Sequence, residues 1–313
     1  MKTQGIAYLK KGGIRLTEVE VKDPGPGQVQ VETLVCGICA MDLYAFKHGT
    51  NSFPFPMPAG HEGLSVVTKI GPGVTDLKEG DRVAGGSFAK VSNIAASSLH
   101  KVPKSDIPDE QWIVEPVSCV VTGVDRCSLL PGDRVAVIGC GFMGLMLIQL
   151  LGRSYVDRLV GIDVNPARLR MAKRFGADTV IDSSKCDKET LATQLKALEL
   201  DAVIEATGSQ PGIDLAERIV KMNGRLILFG WIHDKGEFSG TTWHLGGFTV
   251  FNASPLGKLR DTFPAAIRLI KKKVIDLSPL VTHVVPFEKY PDLLERVTAG
   301  KQNGYIKGVV SMK

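Results

Sequence analysis

The run Gly139-Cys140-Gly141-Phe142-Met143-Gly144 has the residue types and spacing to hold a pyrophosphate. It follows an apolar, β-branched stretch, Arg134 to Ile138, and opens an apolar stretch of helical length, Phe142 to Leu151. In that context the first glycine permits the tight turn and the second lets the backbone approach phosphate oxygens. The third lets helix and strand pack closely, and the helix N-terminus offers free N–H donors. Phe142 and Met143 read as packing residues of this turn. Asp163 ends the next strand, Leu159 to Ile162, about 20 residues on, where a carboxylate accepts from ribose hydroxyls and repels a 2′-phosphate. The acid favours NAD over NADP, with Arg168 stacking or pairing beside the ribose. The alternative is a plain turn, with Asp163 capping the helix that begins near Pro166.

Three other segments carry ligand-type or acid–base side chains: Gly37-Ile38-Cys39-Ala40-Met41-Asp42, Gly60-His61-Glu62 and Glu115-Pro116. Taken singly they say little. Cys36-x-x-Cys39 lacks the second ligand pair of a structural zinc site, a His beside a Glu is an ordinary surface pair, and Glu115 before Pro116 suits a helix start.

The elements that must position these groups fall into two patterns. Up to residue 116 the chain reads as short strands, among them Gln28 to Leu34 and Ser65 to Ile70, broken by Asp23-Pro24-Gly25-Pro26-Gly27 and Gly71-Pro72-Gly73. From residue 117 strand and helix alternate: helix Pro166 to Phe175, strand Asp201 to Glu205, helix Ile213 to Lys221, strand Arg225 to Phe229. Such units imply a parallel sheet covered on both faces. Residues 254–313, with a helix near Phe263 to Lys272 and strands Val281 to Val285 and Tyr305 to Ser311, are expected to complete the first domain.

Composition bounds the rest. With 313 residues, 44% hydrophobic and 23% charged, the chain can bury two cores. A net charge of +5 with basic residues scattered, apart from Lys271-Lys272-Lys273, argues against a nucleic-acid face. The longest apolar stretch is shorter than the ~20 residues that span a bilayer, and Met1 to Leu16 carries no leader pattern. Six cysteines without such a leader suggest reduced thiols and a cytoplasmic protein.

Taken in order over the whole chain, these segments resemble the zinc-containing alcohol and polyol dehydrogenases of the medium-chain dehydrogenase/reductase family. Gly80-Asp81-Arg82-Val83, Ala206-Thr207-Gly208 and Pro279-Leu280-Val281-Thr282-His283 add to the likeness. The resemblance implies an α/β chain: a GroES-like, mainly β catalytic domain over 1–116 and 254–313, and a doubly wound Rossmann domain over 117–253. It implies Cys39 and His61 as zinc ligands, with Cys36 a buried thiol, and Glu62 or Glu115 as the third. Such a set leaves one position open, as catalytic zinc requires. It implies Asp42 as a brace for the site, Thr207 as a cofactor contact and Lys307 as a cationic pyrophosphate contact. The implied reaction is reversible hydride transfer between NAD and a small polar secondary alcohol or its ketone, in a homodimer or homotetramer. Glu115 points to polyols, sugars, cyclitols or amino alcohols.

Three departures from the family stand out. Met41 occupies the position of a proton-relaying Ser or Thr, and Tyr44 that of a relay His. The proton then leaves by water on Glu62 or Glu115, with Tyr44 or His48 contributing. Ala84-Gly85-Gly86-Ser87-Phe88 runs where a four-cysteine lobe would bind a second zinc, so one zinc per chain is expected. Cys119, where relatives carry a Thr, reads as a packing thiol. The rival assignments are a zinc-independent quinone- or enoyl-type reductase on this fold and a catalytically weak nucleotide-binding relative.

Overall fold

The computed structural model describes residues 1–49, 59–233, 235–254 and 259–312. In chain order the elements begin with β1 (Lys2–Tyr8), β2 (Ile14–Glu20), β3 (Gln28–Gly37), α1 (Ala40–His48), β4 (Glu62–Ile70), β5 (Arg82–Ala84), β6 (Val91–Ala95) and β7 (His100–Lys101). Then come α2 (Val114–Cys127), β8 (Arg134–Ile138), α3 (Phe142–Leu151), β9 (Arg158–Asp163), α4 (Pro166–Arg174), β10 (Thr179–Asp182), α5 (Lys188–Lys196), β11 (Leu200–Glu205) and α6 (Gln210–Ile219). The chain continues through β12 (Val220–Leu228), α7 (Gly240–Gly246), β13 (Thr249–Asn252), α8 (Phe263–Lys271), β14 (Val281–Pro286), α9 (Tyr290–Thr298) and β15 (Lys307–Ser311). None of the described helices is long and apolar enough to cross a membrane.

The chain forms two compact units, Met1–Pro116 with Ala266–Lys271 and Leu277–Lys313, and Val117–Ala265 with Lys272–Asp276. The return to the first unit thus comes later than residue 254. Side-chain bonds hold the intervening stretches to the second unit: Thr262 Oγ1 lies 2.7 Å from Ser118 Oγ, Arg260 grips Asp125 with two nitrogens, and Gln149 is bonded to the Asp276 backbone.

The second unit is built on six parallel strands in the order β10-β9-β8-β11-β12-β13. Strand order reverses at β8, whose carboxyl end leads into the glycine turn, the place where open α/β sheets bind ligands. β8, β9 and β11 are buried almost throughout, which is why they read as continuous apolar runs. Their side chains pack with Leu195, Ile219 and Leu226 into one core. One helix is displaced from the sequence expectation. α6 starts at Gln210, because Ser209 accepts from the Gly212 N–H and Pro211 fits the first turn, and it stops where Val220 turns extended.

The first unit carries the mixed sheet β14-β15-β3-β4-β5-β7, with β6 also on β3. β1 and β2 form a separate antiparallel hairpin. β3 runs to Gly37, three residues beyond the alternation visible in the sequence, because its end pairs with both β4 and β15: Gly37 faces Glu62 on one side and Val309 on the other. Tyr8, Cys36, Phe88, Phe287, Tyr290, Leu293 and Val310 form the core beneath this junction.

Candidate metal and dinucleotide sites

Cys39 caps the N-terminus of α1 in extended conformation (φ −81°, ψ 158°), and Glu62 opens β4 directly after His61. The pairing of β3 with β4 brings these segments together, so that one ligand atom from each of Cys39, His61 and Glu62 lies within 4.8 Å of the other two. Glu115 is outside this group; it sits half-buried in the first turn of α2. Gly37 makes the arrangement possible, since a Cβ there would fall 2.1 Å from Glu62 Oε2.

Lys307, expected from the resemblance as a cationic pyrophosphate contact, is buried and paired with Glu62. Its Nζ donates to Glu62 Oε1 at 2.8 Å and lies 2.6 Å from Oε2, with only 5% of the lysine side chain and 2% of the glutamate's exposed. The start of β15 next to the end of β3 puts it there. Burial pulls the ammonium pKa down, but the charges of Glu62 and Cys39 outweigh it and hold the group above its ordinary value.

Asp42 is fully buried one turn into α1. Its Oδ2 accepts the Cys39 N–H at 2.6 Å, and its Oδ1 accepts the Tyr8 hydroxyl. Burial lifts the Asp42 pKa to about 6, opposed by the Tyr8 hydrogen bond and the His61 charge. Burial, then the Glu62 and Asp42 charges, likewise push the Cys39 thiol up. A soft donor, an imidazole and a carboxylate gathered at this spacing fit zinc, and a dication would offset the repulsion that lifts the thiol. Tyr44 and His48 lie one turn apart on α1 with ring centroids 4.6 Å apart.

On the second unit, Gly139 turns at φ +94°, and a Cβ there would lie 2.6 Å from Thr207 Cγ2. At Gly144 a Cβ would meet the Gly139 carbonyl at 1.8 Å, while at Gly141 it would meet nothing within 4 Å. The first and third glycines are therefore demanded by the protein's own packing. The open space at Gly141 suits a ligand. Phe142 and Met143 follow Gly141, the N-cap of α3, which offers no side-chain acceptor to the first helical amides.

Asp163, 8% exposed, accepts the Cys140 N–H at 2.7 Å and the Asn165 N–H at 2.8 Å, one on each carboxylate oxygen. It does not cap α4. Asn165 does, accepting from Ala167 and Arg168. Arg168 is half-buried and close enough for its charge to act on Cys140. Thr207 donates its hydroxyl to Glu205, a buried carboxylate that also accepts the Thr207 and Gly208 amides. The threonine thus shapes the loop after β11, a role hidden in sequence because Glu205 reads as the last residue of an apolar strand.

Residues 25–104 match the model of the alcohol dehydrogenase GroES-like domain, and residues 143–272 that of the zinc-binding dehydrogenase domain. The sorbitol dehydrogenase of Gallus gallus is 28% identical over 95% of this chain and 93% of its own length. A probable D-xylulose reductase A of Aspergillus terreus is 26% identical over 90% of each. The crystal structure of 2R,3R-butanediol dehydrogenase from Bacillus subtilis superposes with a TM-score of 0.88 at 23% identity, covering 99% of this chain and 100% of that one. With two family models matched in order and relatives aligned over nearly the whole length, the chain belongs to the zinc-containing polyol dehydrogenase branch of the medium-chain dehydrogenase/reductase family.

Proposed function

We infer that the chain is a zinc-dependent oxidoreductase acting on polyols or sugar alcohols, moving a hydride between a secondary alcohol carbon and a nicotinamide dinucleotide. The observation that carries this is the meeting of Cys39, His61 and Glu62 in a chain aligned over nine-tenths or more of its length with sorbitol and xylulose enzymes. When bound, zinc supplies Lewis-acid polarisation of the alcohol oxygen and the dinucleotide supplies the hydride acceptor.

The protein's part is to hold and orient. Cys39 and His61 are assigned as ligands, and Glu62 rather than Glu115 as the third, because Glu62 alone of the two joins the group. Lys307 pairs with the Glu62 carboxylate and aims it. Asp163 leaves one acceptor direction on each oxygen for ribose hydroxyls, which supports NAD over NADP. The glycine turn and the α3 amides take the pyrophosphate. Met41 has no exchangeable proton, so the proton leaves by Glu115 and water, with Tyr44 and His48 contributing. One zinc per chain is proposed, since no four-cysteine lobe follows β5. The free thiols support a cytoplasmic location. A homodimer or homotetramer is the proposed assembly.

The test is NAD reduction by zinc-loaded protein over sugars, cyclitols and amino alcohols, repeated after chelation. Activity lost on chelation and restored by zinc is expected. Full carbonyl reduction by the chelated protein would favour the zinc-independent reductase instead. A Tyr44→Phe, His48→Ala variant with an unchanged pH profile would remove those two residues from the proton path.

A further inference from the structure

We propose that Tyr8 is a positioning residue of the metal site, its hydroxyl acting through the Asp42 carboxylate to fix the Cys39 amide and with it the direction of the sulfur. The inference rests on the reading of Cys39 and His61 as metal ligands. Tyr8 bonds through its hydroxyl to Asp42, not to either ligand. It ends β1, in a hairpin that no motif of the sequence marks as functional.

The geometry runs from Tyr8 to Cys39 without a gap. Cys39 is the N-cap of α1, in extended conformation, so the helix ladder does not hold its N–H. Asp42 Oδ2 holds it instead, at 2.6 Å. The orientation of that carboxylate is then set by whatever occupies its other oxygen, and the donor there is Tyr8. Tyr8 and Asp42 are both fully buried, so water has no access to replace the hydroxyl. Without it, a buried carboxylate oxygen is left unpaired, and rotation toward another donor would draw the Cys39 amide along.

A second contact, independent of Tyr8's side chain, ties the same strand to the other ligand. The Ile6 carbonyl accepts the Ala59 N–H at 3.1 Å, two residues before His61, and the Ala59 carbonyl in turn accepts the Phe88 N–H at 2.8 Å. β1 therefore indexes the Cys39 segment through a side chain and the His61 segment through its backbone. It acts as a template for the distance between the two ligands. The hydroxyl of Tyr290, buried in the same core, interacts with that of Tyr8 and belongs to the same group, so the control is Tyr155, whose hydroxyl donates to the Leu129 carbonyl on the second unit.

The test loads the full-length protein with cobalt(II), reads the thiolate-to-cobalt charge-transfer band, and measures affinity by competition with a chromophoric chelator. Tyr8→Phe keeps the ring and removes the hydroxyl; it is expected to weaken metal binding about 10-fold or more and to alter the band. Tyr155→Phe is expected to change neither. In an Asp42→Asn background, Tyr8→Phe should cost much less than in the unsubstituted protein, a coupling that a general loss of core packing would not produce. Wild-type affinity and spectrum in Tyr8→Phe, an equal loss in Tyr155→Phe, or strictly additive costs with Asp42→Asn would each overturn the proposal. If the unsubstituted protein shows no thiolate band, the ligand assignment itself fails; if it shows the band and only the Tyr8 comparison fails, the ligand assignment stands without this inference.

Discussion

Gly37 and Lys307 both fix the place of Glu62, one by having no side chain and the other by having a charged one. A methyl group at position 37 would occupy the place of Glu62 Oε2, so Gly37→Ala is expected to swing the carboxylate out. Zinc affinity measured by competition should fall about 10-fold or more, as supporting-residue changes do, while NAD binding followed by fluorescence stays intact. Lys307→Met would leave the Glu62 carboxylate buried without its cation. Loss of one partner from such a pair costs about 3 to 5 kcal/mol, to be read by urea unfolding. Lys307→Met combined with Glu62→Gln should recover much of that loss. Equal stability of the single and double variants would show that the pair is not coupled.

At the scale of elements, β9 and α4 divide two tasks between neighbouring residues. Asn165 caps α4, and Asp163 ties the glycine turn to the end of β9. Asn165→Ala should therefore lower stability by about 1 kcal/mol and leave the ratio of NAD to NADP affinity unchanged. Asp163→Asn should narrow that ratio, as isothermal titration with each dinucleotide would report. A ratio moved equally by both substitutions would contradict the division.

The same element shows what a sequence makes legible. The turn and Asp163 lie in one strand-helix-strand unit, so residue order alone lines them up. Cys39 lies on one segment and His61 with Glu62 on another, and resemblance rather than any local pattern links the two. The Lys307–Glu62 and Tyr8–Asp42 contacts join residues 245 and 34 positions apart. They depend on strand register and on which faces meet, and neither leaves a mark in composition or spacing. Lys307 was legible as an important cation, but its counterion was not.

For the molecule as a whole, metal analysis should return one tightly held zinc per chain, and two would contradict the reading of the loop after β5. Removing that zinc should destabilise the first unit, because a ligand bound only by the folded state adds to its stability. The second unit, which carries the glycine turn, should keep its dinucleotide affinity after chelation. A joint loss of both would show that the units do not respond separately.

The first unit also draws its sheet from distant parts of the chain: β15, which carries Lys307, pairs with β3. During synthesis the second unit's strands all emerge before β15 does, so that unit can fold while the first still lacks a strand and the partner of a buried glutamate. Tight metal capture is then expected only once β15 has emerged. An arrested nascent chain ending before residue 307 should already bind dinucleotide yet hold zinc only weakly, which places the acquisition of the metal after the folding of the second unit.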